Sequence, residues 1–339
     1  MPRVSPRRRL PKSALTSLTE AVGRTPLLRL RRLEARLEAE TLARASGSSG
    51  LRAGARSEPK PIELYAKLEL FNPGGSVKDR AALCIIRDAL AAKKLSGTVR
   101  LLDSTSGNTG IAYAWIGAAL GLRVTLVMPK NVSSARKAIV RSYGAEVLFS
   151  DPLEGSDGAI RMARELSERH PTRYCYVDQY ANPSNPRAHY EGTGWEIFAA
   201  TEGRVTHFVA GIGTSGTLMG TGARLKHENP AIQVVGVQPR ESLHGIEGLK
   251  HLETSLVPPI FQPNAVDQML FVDTDRAWDL AERLAREEGV PVGHSSGAAA
   301  AGLLDVARVL RARGEGGVLV TVFPDKAERY IEPLVARPA

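Results

Sequence analysis

Val99-Arg100-Leu101-Leu102-Asp103-Ser104-Thr105-Ser106-Gly107-Asn108-Thr109-Gly110 turns from an apolar run to a polar one halfway along. Residues 99–102 have the character of a strand, and residues from about 109 to 120 that of a helix. Between them stand eight consecutive small polar residues, Asp103 to Gly110. The same order of strand, loop and helix recurs outward in both directions. Upstream, residues 62–68 read as a strand and 76–94 as a helix. Downstream come the β-rich residues 124–128 ended by Pro129, a helix over about 134–143 and a strand over 146–149. Later, Phe208-Val209 leads into a Gly-rich loop and a helix. A strand over 232–237, helices over 275–288 and 297–312, and a strand over 317–323 follow. Such alternation predicts an α/β protein whose mainly parallel sheets are flanked by helices.

The chain's 339 residues exceed one ordinary core and predict two lobes. No apolar stretch is long enough to span a membrane, and no secretory signal is legible near Met1. The net charge of +9 suggests a polyanion partner, but its distribution argues otherwise. Residues 1–60 carry 14 Lys and Arg against 5 Asp and Glu, whereas the rest carries 31 of each. The body is therefore neutral, and the excess reads as a solvated tail, with no specific nucleic-acid partner expected. Residues 1–19 hold three prolines and five basic residues without an acid, and are expected to be disordered. Residues 45–61 read as a flexible loop rich in Ser, Gly, Arg and Pro. Cys84 and Cys175 show no metal-ligand spacing and read as buried thiols of a reducing cytoplasm.

Three further stretches carry chemistry. In Asn72-Pro73-Gly74-Gly75-Ser76-Val77-Lys78-Asp79-Arg80, a tight turn places Lys78 in the first turn of a helix. The positive end of the helix disfavours a cation there, and a neutral amine can attack an aldehyde. The same residues also describe a surface lysine at a helix start. Gly211-Ile212-Gly213-Thr214-Ser215-Gly216-Thr217 lies between strand and helix, where backbone N–H groups and hydroxyls suit a phosphate. It also satisfies G-x-G-x-x-G, so a nicotinamide dinucleotide is an alternative; the acid expected about 20 residues on is missing. Gly293-His294-Ser295-Ser296-Gly297 precedes an Ala-rich helix, where a serine either meets a ring nitrogen or caps the helix. The opening Asp103–Gly110 stretch can cradle a carboxylate, or else cap a helix and turn the chain.

Together these segments resemble the cysteine synthase family (O-acetylserine sulfhydrylases), two-lobed fold-type II pyridoxal-phosphate enzymes like the tryptophan synthase β chain. The resemblance runs from about Glu20 to about Tyr330. It includes Val22-Gly23-Arg24-Thr25-Pro26-Leu27, Gln179-Tyr180-Ala181-Asn182-Pro183 with His189, and Glu328-Arg329-Tyr330, in the family's order. Ser76–Leu83 and the stretch from Gly248 to Phe261 lean to the B isoform. The resemblance implies that Lys78 carries pyridoxal 5′-phosphate as a Schiff base and moves the substrate's α-proton. It implies that Asn108 meets the cofactor's 3′-oxygen and that Gly213, Thr214, Ser215, Gly216 and Thr217 bind its phosphate. Ser295 would face the pyridine nitrogen, a neutral partner that makes a shallower electron sink than an aspartate. Thr105, Ser106, Gly107, Thr109 and Gln179 would hold the substrate carboxylate. Lys250 or His251 would attract an anionic co-substrate such as thiosulfate, or a phosphate leaving group; the alternative is a solvated loop lysine.

The activity so implied is β-replacement of O-acetyl-L-serine, or O-phospho-L-serine, by sulfide or thiosulfate, through an aminoacrylate, to give L-cysteine. A cystathionine β-synthase-like enzyme, a diaminopropionate synthase and a serine/threonine dehydratase are the alternatives on the same fold. The resemblance further implies a homodimer, and the free thiols a cytoplasmic location. Residues 46–182 are expected to form the smaller lobe, with 20–45 and 183–332 forming the larger one.

Overall fold

The computed structural model describes residues 14–47, 60–105 and 107–330. Most of the basic tail, most of the 45–61 loop and Ser106 therefore lie outside the described residues. Within the expected tail, order begins earlier than Glu20. A 3₁₀ turn spans Leu18–Ala21, and the Ser17 hydroxyl accepts from the Thr19 N–H.

The chain opens with β1 (Leu27–Arg29), α1 (Arg31–Gly47), β2 (Ile62–Leu68) and α2 (Lys78–Ala91). There follow β3 (Arg100–Ser104), α3 (Asn108–Ala119), β4 (Val124–Pro129), α4 (Ser134–Ser142), β5 (Glu146–Ser150), α5 (Gly155–Arg169) and β6 (Tyr174–Tyr176). Next come α6 (Ser184–Ala188), a π turn (His189–Gly194) and α7 (Trp195–Ala200). The remainder is β7 (Val205–Gly211), α8 (Gly216–Glu228), β8 (Gln233–Pro239), β9 (Gln268–Val272), α9 (Thr274–Glu288), α10 (His294–Ala312) and β10 (Gly317–Phe323).

Two sheets result. One runs β5-β4-β3-β6 and is wholly parallel. The other runs β1-β2-β10-β7-β8-β9, parallel except where β1 pairs antiparallel with β2. Strands covered on both faces read as unbroken apolar runs, and β4 is buried at every position. α3 is apolar all round because it is enclosed: every residue from Thr109 to Gly117 is buried. In α9, Ala277, Leu280, Ala281 and Leu284 recur at helical spacing and face the core. Gly289, left-handed at φ 70°, ends that helix.

One placement departs from the expected division of the chain. Residues 62–68 fall within the stretch assigned to the smaller lobe, yet β2 lies in the six-stranded sheet between β1 and β10. Its pattern explains this: Leu64, Ala66 and Leu68 are buried, and Lys67 is buried with them, which an edge strand would not permit. The chain crosses to the smaller sheet only after the turn that precedes Lys78. A buried ionic cluster marks the crossing. Arg80 of α2 donates to Glu69 and to Glu196 of α7, and Lys67 also pairs with Glu196. The cluster obeys the rule that a buried charge must be paired.

Candidate active site

The polar loops singled out in the sequence converge at carboxyl ends of strands from both sheets, where open parallel sheets place their ligand sites. Lys78 is the first residue of α2 and Asn108 the first of α3. Gly216 opens α8, and Ser295 lies in the first turn of α10. One pocket is lined by Lys78, Asn108, Gly213, Thr214, Ser215, Thr217 and Ser295. It opens into a wider cleft that Thr105, Gly107, Thr109, Gln179 and Lys250 line as well.

Lys78 is not a surface lysine. Its exposed part faces the pocket, and burial pushes its amine below the ordinary lysine range. Asp325 pulls it partly back and Arg329 pushes it further down. Desolvation is the largest of these influences and favours the neutral amine.

The loop before α8 is shaped for an anion. A side chain at Gly213 would meet the Gly248 carbonyl at 2.3 Å, and one at Gly216 would meet Asn185 at 1.9 Å, so both positions demand glycine. Gly216 thus packs against Asn185 rather than lining the pocket wall. Ser215 is left-handed at φ 68°, and its buried hydroxyl has no partner among the described residues. The Thr214 hydroxyl accepts from the Asn185 amide at 3.0 Å. Thr217 lies 3.3 Å from His189 Nε2, and burial lowers that imidazole's pKa to about 3, leaving it neutral. No acid occupies the first turn of α8, so its positive end faces the pocket uncompensated. An orphaned buried hydroxyl, a helix N-terminus and glycines that admit close approach fit a phosphate. A nearby half-buried lysine fits an aldehyde on the same molecule. Pyridoxal phosphate carries both groups.

The 103–110 loop is partly self-supporting. The Thr105 hydroxyl accepts from the N–H groups of Gly107 and Gly110, both at 3.1 Å, and so does part of the capping that the alternative reading expects. The Thr109 hydroxyl donates to Gln179 Oε1 at 2.7 Å, and Gln179 Nε2 donates to the Ser104 carbonyl at 2.8 Å. Gln179 therefore braces the loop and keeps one amide N–H to spare. At the other end of the pocket, the residue preceding α10 in cap position is Gly293, with no side-chain cap bond, so Ser295 is not a capping serine.

Lys250 is neither solvated nor free. It is buried, 3.1 Å from Asp157 and 5.2 Å from the centre of the Tyr180 ring. Arg136 pairs with Glu247 at 2.5 Å. Both pairs join the 246–251 segment to α4 and α5, across the cleft mouth. His251 faces Thr254 instead, at 2.9 Å.

Around Asn108, three further pocket residues have no role assigned from the sequence. Asp325 follows β10, Tyr330 donates to it at 2.6 Å, and Arg329 donates to Asn108 and to the Gly74 carbonyl. The rule that found the other loops applies here too, because Pro324-Asp325 lies at the carboxyl end of the last strand.

The described residues contain no cluster able to hold a metal ion, and no helix long and apolar enough to cross a membrane. Residues 18–325 match the model of the family described as pyridoxal-phosphate dependent enzyme. The chain is 54 % identical over 273 residues to a cysteine synthase of Aquifex aeolicus, covering 80 % of this chain and 84 % of that one. It is 40 % identical over 326 residues to cysteine synthase B of Pseudomonas aeruginosa, covering 95 % and 98 %. Among solved structures it is similar to O-acetyl serine sulfhydrylase isoform 3 from Entamoeba histolytica. There the TM-score is 0.83 at 32 % identity, covering 100 % of this chain and 95 % of that one.

Proposed function

The chain belongs to the pyridoxal-phosphate dependent enzyme family, among its cysteine synthases, and from that membership we propose the parts that its own residues take. It is a pyridoxal-phosphate enzyme that forms L-cysteine from O-acetyl-L-serine. The observation that carries the assignment of the site is Lys78: a buried amine at a helix start, in one pocket with an anion cradle.

Gly213, Thr214, Ser215 and Thr217 hold the cofactor phosphate at the N-terminus of α8, and Gly216 lets the loop close against Asn185. Asn108 meets the 3′-oxygen, and Ser295 faces the ring nitrogen without charging it. When bound, pyridoxal phosphate withdraws electrons from the substrate's α-carbon and makes its proton removable. Lys78 Nζ, its proton affinity lowered by burial, accepts that proton and later returns one. Thr105, Gly107 and Thr109, with Ser106 and braced by Gln179, hold the substrate carboxylate and so fix the α-carbon against Lys78. Departure of the β-substituent and addition of a sulfur nucleophile at the same carbon complete the replacement. Lys250 attracts an anionic sulfur donor, thiosulfate as well as sulfide, when its pair with Asp157 opens. The same cation would serve the phosphate of O-phosphoserine.

The enzyme works as a cytoplasmic homodimer. Each subunit's smaller lobe carries the carboxylate loop, and the larger one carries the phosphate cradle. Light scattering should then give twice the 36.5 kDa of one chain.

A visible spectrum tests the central assignment. The cofactor band should move when O-acetyl-L-serine is added and return with sulfide, and Lys78→Ala should abolish both changes. A band that ignores acetylserine but answers O-phosphoserine would reassign the substrate. Retention of both changes in Lys78→Ala would remove Lys78 from its role.

A further inference from the structure

An asparagine amide is nearly symmetric in shape, and only its partners tell its two ends apart. Asn108 is bracketed by two partners of opposite charge. Its Nδ2 donates to Asp325 Oδ2, and its Oδ1 accepts from the Arg329 guanidinium. Reversing the amide would turn its oxygen toward a carboxylate and its N–H groups toward a guanidinium. Two charge-assisted bonds would become two repulsions. One N–H of Nδ2 is engaged by Asp325, so the other is left for the pocket that Asn108 lines.

The bracket is itself anchored. Asp325 is buried, its Oδ2 also accepts from the Tyr330 hydroxyl at 2.6 Å, and its backbone carbonyl accepts from Gly293 at 3.2 Å. Arg329 bonds the Gly74 carbonyl in the turn that leads to Lys78. The segment after β10 thus grips both the turn before α2 and the start of α3.

We infer that Asp325 and Arg329 are positioning residues that set the orientation of the Asn108 amide, presenting an N–H rather than a carbonyl oxygen to the cofactor's 3′-oxygen. This rests on the proposed role of Asn108, and it adds a source for that residue's specificity. Both partners also lie close enough to Lys78 to act on its amine, with opposite signs.

The test is a double-mutant cycle on the full-length protein, stripped of cofactor and titrated with pyridoxal 5′-phosphate. It reads apparent affinity by fluorescence and the wavelength of the visible band. Asn108→Ala, Asp325→Ala and Arg329→Met should each weaken binding about tenfold and shift the band in the same direction. In the Asn108→Ala background, Asp325→Ala and Arg329→Met should cost much less than in the parent, because the part of their effect that runs through the amide is already lost. Asp325→Asn keeps an acceptor oxygen and should restore affinity to within about threefold of the parent. Normal affinity and band in Asp325→Ala and Arg329→Met, with Asn108→Ala impaired, would overturn the inference and leave the role of Asn108 standing. Additive losses in the cycle, or an Asp325→Asn as impaired as Asp325→Ala, would also overturn it, by showing a role in charge or folding. A normal Asn108→Ala would instead remove the premise. Arg329 is only partly buried, so Arg329→Met supplies the reading should Asp325→Ala fold poorly.

Discussion

Ser215 combines a backbone cost with an unmade bond. A non-glycine residue in the left-handed region costs roughly 1 kcal/mol or more, and a buried hydroxyl without a partner adds to that. Ser215→Gly removes both, so the cofactor-free protein should gain about 1–2 kcal/mol, a few degrees in Tm by calorimetry. Affinity for pyridoxal phosphate should fall in the same variant, since the hydroxyl's prospective partner is the phosphate. A variant that gains in both would show that the hydroxyl never meets the ligand.

Asp103 makes a prediction in pH. Burial raises its pKa to about 7, while N–H donors from Ser104 and Gln179 and the Tyr113 hydroxyl work the other way. A carboxyl whose folded pKa lies above its unfolded value holds more protons when folded. Its contribution is therefore full below about pH 4 and is lost as pH rises through 7, by up to about 1.4 kcal/mol per unit. Asp103→Asn cannot ionise, so its Tm relative to the parent should climb between pH 5 and pH 8. A difference equal at the two pH values would mean that Asp103 does not titrate in that window.

Among the elements, α10 lies unusually close to α9. A Cβ at Gly297 would stand 1.9 Å from the Ala277 carbonyl oxygen. In an open helix Gly→Ala stabilises by about 1 kcal/mol. Here it must push two helices apart and should instead cost about 1–3 kcal/mol, which thermal unfolding would register as a change of sign.

The strands and helices legible in the sequence were those whose periodicity or apolar run is long. β4, α3, α9, α10 and β10 all fall within a few residues of expectation. No element is legible in the sequence between 150 and 204, where the structure has α5, β6, α6, the π turn and α7. The physical reasons are local. α5 opens on Gly155-Ser156-Asp157-Gly158, which has turn chemistry, and β6 is only three residues long. Of the site, the loops with dense small polar residues were readable because such composition has few structural uses. Asp325, Arg329, Asp157 and Glu247 were not, because a charged residue becomes functional only through what faces it. The sequence does not show that Arg329 faces Asn108 or that Asp157 faces Lys250.

At the scale of the whole molecule, the Arg136–Glu247 and Lys250–Asp157 pairs hold the cleft mouth from both sides. Each pair is partly exposed and so carries on the order of 0.5–1 kcal/mol. Glu247→Gln should therefore raise KM for O-acetylserine about two- to fivefold with little change in kcat. The gap between variant and parent should narrow in 0.5 M salt, roughly the regime where screening reaches only a few ångströms. A kcat that falls as far as KM rises would place Glu247 in the chemistry instead.

The six-stranded sheet also sets a timetable for the newborn chain. β10 enters between β2 and β7, and its first residue pairs with Ile62, about 250 positions away. The four-stranded sheet closes within one continuous stretch and can assemble while the ribosome is still working. β2 must wait roughly 10–50 s at ordinary elongation rates for its neighbour to emerge, with a half-built sheet edge open to the wrong partner. The turn before Lys78 waits as long for Arg329. The chain therefore cannot complete the grip on its cofactor until Arg329 has emerged.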